Sequence, residues 1–273
     1  MILTLSSPAI WGQIYQCIPF GISLPVYCGV HLWRSPLATV SKTTAARTRS
    51  ELSSMDPAKL STLTAAMIIG FLGISTLPGL PSYLITNETR QAFIALWQIY
   101  PLCIGVVHQV LSFVARTLGY APRSQDDATR IRAARKVYKQ ILSITGVMHL
   151  GIIAILASPQ LRKTLLGASG EALGFESVFR AMSAFAPRQI EELAEGTQIL
   201  LQYDMYCGIA AASVWAVALS YAAAGSSLVA AVQTSIKLLL RSLLVGPGGA
   251  VLWAFWDREE EIAAPAEIAK KRA

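Results

Sequence analysis

Asp204 is an acid inside an apolar run, in Gln202-Tyr203-Asp204-Met205-Tyr206, about one to two turns into a stretch that continues through Trp215 to Ala224. A charge at membrane depth costs about 2.5–3.5 kcal/mol, so a carboxyl kept there needs a reason. In an apolar setting a carboxyl favours its neutral form, and that is the form that donates a proton. The structural alternative places Asp204 at the interface, capped by Gln202 or paired with a loop cation. Glu88, in Thr86-Asn87-Glu88-Thr89, precedes the third apolar segment. It is either a second acid at the mouth of a site or a first-turn carboxylate favoured by the positive end of a helix.

Trp97 and Tyr203 lie deep in their segments beside Gln98 and Asp204, whereas Trp33, Trp253 and Trp256 fall at segment ends and read as an interfacial belt. A ring face within about 6 Å attracts a cation, so an acid among electron-rich rings suits carbocation chemistry. His31 follows Pro25 and Tyr27 in one kinked segment. It shares no i, i+4 spacing with His108 or His149, and Cys17, Cys28, Cys103 and Cys207 show no CxxC or Cys/His pattern. No metal site is expected, and the thiols are expected to be small buried side chains. There is no P-loop, GxSxG, HExxH or GxGxxG, and no aspartate-rich DDxxD-type motif that would hold magnesium and a diphosphate.

These residues have to be positioned by membrane helices. The 273 residues are 53% hydrophobic and only 14% charged, with a mean hydropathy of +0.49, where a soluble domain carries about 25% charge. Continuous apolarity without period-2 alternation indicates an all-α integral membrane bundle, not a barrel. Spans are expected near 10–33, 60–80, 91–115, 138–157, 198–224 and 236–256, with a weaker stretch near 169–186. The organisation read from this is one transmembrane domain over 1–257 and a charged tail over 258–273. The first segment lacks a basic n-region and runs too long for a signal peptide, so it is expected to remain as the first span.

The net charge of +7 does not indicate nucleic-acid binding, because the basic residues fall in short loops. Loop 34–59 carries Arg34, Lys42, Arg47, Arg49 and Lys59, and loop 116–139 carries seven more, while 81–90 holds only Arg90. Both basic loops are expected in the cytosol and the N-terminus on the opposite face. Lys270-Lys271-Arg272-Ala273 reads either as a dilysine retrieval signal of the endoplasmic reticulum or as a generic basic tail. A lumenal N-terminus with a cytosolic C-terminus needs an odd number of crossings. Parity therefore gives seven spans where hydropathy alone gives six.

Several patches carry a resemblance. They are Ile18-Pro19-Phe20 through Leu24-Pro25-Val26-Tyr27, His31-Leu32-Trp33-Arg34-Ser35-Pro36, Leu96-Trp97-Gln98 with Pro101, and Gln202-Tyr203-Asp204-Met205-Tyr206. The last is Gly246-Pro247-Gly248 with Trp253 and Trp256-Asp257-Arg258. Together they resemble the small fungal membrane-bound terpene cyclases of meroterpenoid pathways, the ascochlorin and macrophorin type. The resemblance implies a cyclase without cofactor that folds a farnesylated aromatic or quinol, or its terminal epoxide, after an initiating protonation. It implies Asp204 as proton donor and Glu88 as second acid or final base. Trp97, Tyr203, Tyr27 and Trp215 would be the rings that steady the cation, with Gln98 and His31 completing the substrate contacts. The partners so implied are the prenylated small molecule, the lipid bilayer and pathway enzymes in the same membrane. The rival readings are a proton-coupled transporter, which would be expected to show repeats or a polar pore, and a non-catalytic multi-pass scaffold, for which Asp204 would be dispensable.

Overall fold

Long apolar runs with few breakers fold as helices wherever lipid or protein leaves the backbone no other partner. The computed structural model describes residues 8–40, 56–80, 83–120, 127–166, 174–181, 190 and 192–272, and among them every regular element is helical. The helices are α1 (Pro8–Cys17), α2 (Phe20–Arg34), α3 (Pro57–Met67, continued by a π turn Ile68–Gly73 and on to Gly79), α4 (Asn87–Trp97) and α5 (Tyr100–Thr117). They continue with α6 (Asp127–Ala157), α7 (Pro159–Leu166), α8 (Phe175–Phe179), α9 (Leu193–Ala223) and α10 (Leu228–Arg272). Their starts follow capping chemistry. Asp56 Oδ1 accepts from the Ala58 amide at 2.9 Å ahead of Pro57, and Thr86 Oγ1 accepts from the Thr89 amide at 3.2 Å ahead of α4.

Among the described residues, four helical stretches, 58–79, 129–157, 193–223 and 228–262, are long and apolar enough to cross a membrane, and α4 with α5, bent by 69°, would make a fifth. The sequence reading expects six or seven. The difference has local causes. The segment near 10–33 is two helices, because Pro19 offers no amide to continue α1 and the chain restarts at Phe20. The stretch near 169–186 contributes only the five-residue α8, and 169–173 and 182–186 lie outside the described residues. So do 41–55 and 121–126 of the basic loops and the side chains of Lys270 and Lys271.

The last stretch, near 236–256, is not one straight helix either. Gly246 has φ 74° and ψ 165°, a left-handed conformation that ends one helix, and Pro247 opens the next. Residues 20 apart in a straight helix are about 30 Å apart, yet Lys237 Nζ lies 3.2 Å from Asp257 Oδ2. Arg241 Nη1 is 2.8 Å from the same carboxylate, and its guanidinium sits 4.3 Å over the Trp253 ring. α10 is therefore a hairpin with antiparallel arms 228–245 and 247–272.

The chain divides into two compact units, residues 1–18, 34–141 and 259–273 in the first and 19–33 and 142–258 in the second. In the first, α3 meets α5 at small residues: a Cβ on Gly70 would lie 2.7 Å from Ile104 Cα, and the Thr62 and Ser112 hydroxyls are hydrogen-bonded at 2.9 Å. The Arg135 guanidinium grips Glu260 with two bonds of 2.6 Å, and Tyr138 Oη donates to Glu259 at 2.8 Å. In the second unit, Ala216 of α9 packs with Leu238, Ala250, Val251 and Ala254 of the hairpin. Outward faces are apolar, as at Val147 (75% exposed), Leu239 (73%) and Phe113 (70%), which is the kind of surface that lipid covers. The cysteines depart from expectation: Cys28 is buried and Cys103 half-buried, but Cys17 and Cys207 are exposed on these helix faces.

Candidate active site

The second unit holds most of the candidate residues, on two neighbouring helices. Glycine at 21 and 208 lets α2 and α9 approach closely. A Cβ on Gly21 would lie 2.8 Å from the Asp204 carbonyl oxygen and 2.9 Å from Cys207 Cβ, and one on Gly208 would strike the Phe20 ring. That approach delivers the first turn of α2 to Asp204. The Gly21 amide donates to Asp204 Oδ1 at 2.6 Å, so an amide that α2 cannot pair internally is satisfied by a side chain 183 residues away. Oδ2 has no partner among the described residues, and Asp204 is half-buried.

Gln202 is not the cap that the sequence suggested. Its Nε2 donates to the Ser177 and Val178 carbonyls at 3.1 and 2.7 Å, and so docks α8 onto α9. No cation pairs with Asp204 among the described residues either.

Eleven residues along α9, about three turns and hence nearly the same face, Trp215 gathers a ring cluster. Tyr27 meets it edge-on at 5.6 Å, His31 at 5.0 Å and Phe255 at 4.8 Å between centroids. Trp215 Nε1 donates to His31 Nδ1 at 3.2 Å, which makes Nδ1 the acceptor and leaves the ring proton on Nε2. Tyr27, His31 and Trp215 are thus brought together. Tyr203, twelve residues from Trp215 and about 18 Å along the helix, belongs to the Asp204 end. Phe255 was not singled out in the sequence; its position among the apolar residues after Gly-Pro-Gly-Gly carries no signal that it faces Trp215.

Trp97, Gln98 and Glu88 belong to the first unit. Trp97 Nε1 donates to Ser75 Oγ at 3.1 Å, and its ring lies 5.6 Å from Tyr100, which in turn meets Phe71 at 4.9 Å. Gln98 caps the end of α4, exposed, and its backbone carbonyl accepts from Gln13 Nε2 at 3.2 Å. Glu88 is exposed in the first turn of α4 behind the Thr86 cap. An open apolar groove of about 360 Å³ runs beside α1, lined by Ile10, Gln13, Ile14, Cys17, Ile18 and Leu102.

A half-buried acid on one helix face with an aromatic cluster three turns away is an arrangement that can protonate an apolar substrate and shelter a cation. The CtvD domain matches residues 2–263. The chain belongs to the CtvD-domain family. This CtvD-domain chain is 25% identical over 264 residues to the terpene cyclase ascI of Acremonium egyptiacum, covering 94% of this chain and 64% of that protein. It is 21% identical over 263 residues to the terpene cyclase ctvD of Aspergillus terreus, covering 94% and 68%. The chain thus spans about two thirds of the length of these relatives. No solved structure matches it.

Proposed function

We propose that this CtvD-domain protein is a membrane-bound terpene cyclase that closes rings on a farnesylated aromatic or quinol, or its terminal epoxide, in meroterpenoid biosynthesis. It does so without a cofactor, and Asp204 donates the initiating proton. The supporting observation is the carboxyl of Asp204, fixed through Oδ1 by the Gly21 amide while Oδ2 has no protein partner among the described residues. A carboxylic acid that accepts at one oxygen keeps the hydroxyl on the other for donation. Both relatives are named terpene cyclases, which supports ring closure as the reaction class.

In this reading the Oδ2 proton passes to the epoxide oxygen or the terminal alkene carbon. Internal alkenes then attack in turn, each forming one carbon–carbon bond and passing the cation inward. The final cation loses a proton or is captured by the substrate's own hydroxyl with loss of its proton, so the product is an isomer of the substrate. Tyr27 and Trp215 offer ring faces to the moving cation, and the helices fold the chain and exclude water that would quench it. His31, held as the Nε2–H tautomer, is a neutral donor for a substrate oxygen. The same reading places the chain in the endoplasmic reticulum membrane with a cytosolic C-terminus.

The test is turnover in microsomes carrying the chain, supplied with farnesylated phenols and their epoxides. New products of unchanged mass, lost in Asp204→Asn, support the reading; a chain that converts none of the panel while folded and inserted argues for a non-catalytic role.

A further inference from the structure

The hairpin α10 has a consequence for how the chain sits in lipid. The contacts between its arms join residues separated by 20, 16, 12 and 4 positions, namely Lys237–Asp257, Arg241–Asp257, Arg241–Trp253 and Val245–Gly249, closing on the turn at Gly246. Its uncharged stretch 242–256 is centred on Gly246-Pro247-Gly248-Gly249, and the charges of 228–262 all stand away from the turn, at Lys237, Arg241, Asp257, Arg258, Glu259, Glu260 and Glu261. From Asp257 to Gly248 is nine residues, about 13 Å of helix, which is roughly half of a 30 Å hydrocarbon core. A hairpin crossing fully would bury the Lys237–Asp257–Arg241 cluster near mid-bilayer and put an uncharged, apolar turn in water. A hairpin that dips in and returns leaves the cluster at the headgroups and the turn in the core.

The turn also reaches a definite level. Trp215 and Phe255 are ring-packed. From that contact Asp204 lies eleven residues down α9, about 16 Å, and Gly246–Gly249 lie six to nine residues down the second arm, about 9–13 Å. The directions agree, because the short connection 224–227 sets the first arm antiparallel to α9 and the turn reverses it again. The His149 ring packs on the turn, 3.1 Å from where a Cβ on Gly246 would be. Non-helical backbone at membrane depth persists only where protein encloses it or where it lines a cavity. Two such breaks, the start of α2 at Pro19–Gly21 and the Gly246 turn, fall at the Asp204 end of this unit.

We propose that residues 228–262 enter and leave the membrane on one face as a re-entrant hairpin, and that the Gly246–Gly249 turn walls the proton-donor end of the site. The second half rests on the cyclase reading above; the first does not.

Single cysteines at Ser226→Cys, Gly248→Cys and Ala264→Cys, each compared with the unsubstituted chain, test it with a membrane-impermeant maleimide on sealed microsomes. Gly248 tolerates a side chain, since a Cβ there meets nothing within 4 Å. Positions 226 and 264 are expected to label from the same face, and 248 only after detergent. Labelling of 226 and 264 from opposite faces would mean a single crossing, and labelling of 248 from the far face would mean a double crossing; either overturns the hairpin. With the hairpin established, Gly248→Leu should change the ratio of cyclised products or raise KM. Unchanged products and KM would remove the turn from the site and leave the topology standing, while failure of the cyclase reading would appear separately, as a parent chain without turnover.

Discussion

Replacing Asp204 with asparagine and, separately, with alanine separates its two jobs, holding α2 and donating a proton. Asparagine keeps an oxygen where Oδ1 now accepts from the Gly21 amide at 2.6 Å, and as a helix cap it is about as good as aspartate. The asparagine variant should therefore match the parent's stability to within a few tenths of a kcal/mol. Alanine leaves the amide without its partner and should cost about 0.5–2 kcal/mol. Activity should behave differently. Neither variant has a proton to give, so both should fall by about 10²- to 10⁴-fold, equivalent to about 2.7–5.5 kcal/mol of barrier. Size-exclusion profiles and thermal melts in detergent report the first quantity, and initial rates on a farnesylated phenol epoxide in microsomes the second. An asparagine variant that turns over at close to the parent rate would rule Asp204 out as the proton donor and leave it with only its structural bond.

Gly21→Ala should destabilise the second unit by about 1–3 kcal/mol by overpacking and lower turnover as well, since the new methyl displaces the amide that holds Asp204; melts and initial rates check both. Trp215→Phe should retain more activity than Trp215→Leu, because a phenyl ring keeps a π face and leucine has none, although both lose the donor to His31; comparing their kcat values decides it. Glu88→Gln should change stability by less than about 1 kcal/mol and leave kcat near the parent value if the residue is a helix-end charge, whereas a loss comparable to Asp204→Asn would make it a second acid. Serine at both Lys270 and Lys271 should let the protein leak past the endoplasmic reticulum, as seen by fluorescence microscopy of a tagged chain, and an unchanged distribution would reduce the ending to a basic tail.

The helices of the interior were legible in the sequence because apolar runs and caps are local. The expected segment 198–224 lies within a residue of the end of α9, and 138–157 ends with α6. Breaks were less legible, since proline and glycine are tolerated in membrane helices. Pro19 and Gly246 lie inside runs whose hydropathy shows no break, but the first separates two helices and the second reverses the chain, a reversal revealed by the pairing of Lys237 and Arg241 with Asp257. The same applies to the candidate site. Tyr27, His31 and Trp215 could each be singled out by type and depth, yet His31 and Trp215 are 184 residues apart, and no local pattern records that they touch. Gln202 illustrates the converse, a neighbour in sequence that turns away from Asp204 to hold α8.

The bond between Gly21 and Asp204 also sets an order of assembly. α2 leaves the ribosome ahead of its partner carboxyl, which follows 183 residues later. At about 5–20 residues per second this is an interval of roughly 10–40 s, during which the start of α2 must be sheltered by the translocation machinery, lipid headgroups or a membrane chaperone. The second unit therefore closes only after α9 has emerged, and a nascent chain stalled before α9 would present an uncapped helix end to the quality-control machinery of the membrane.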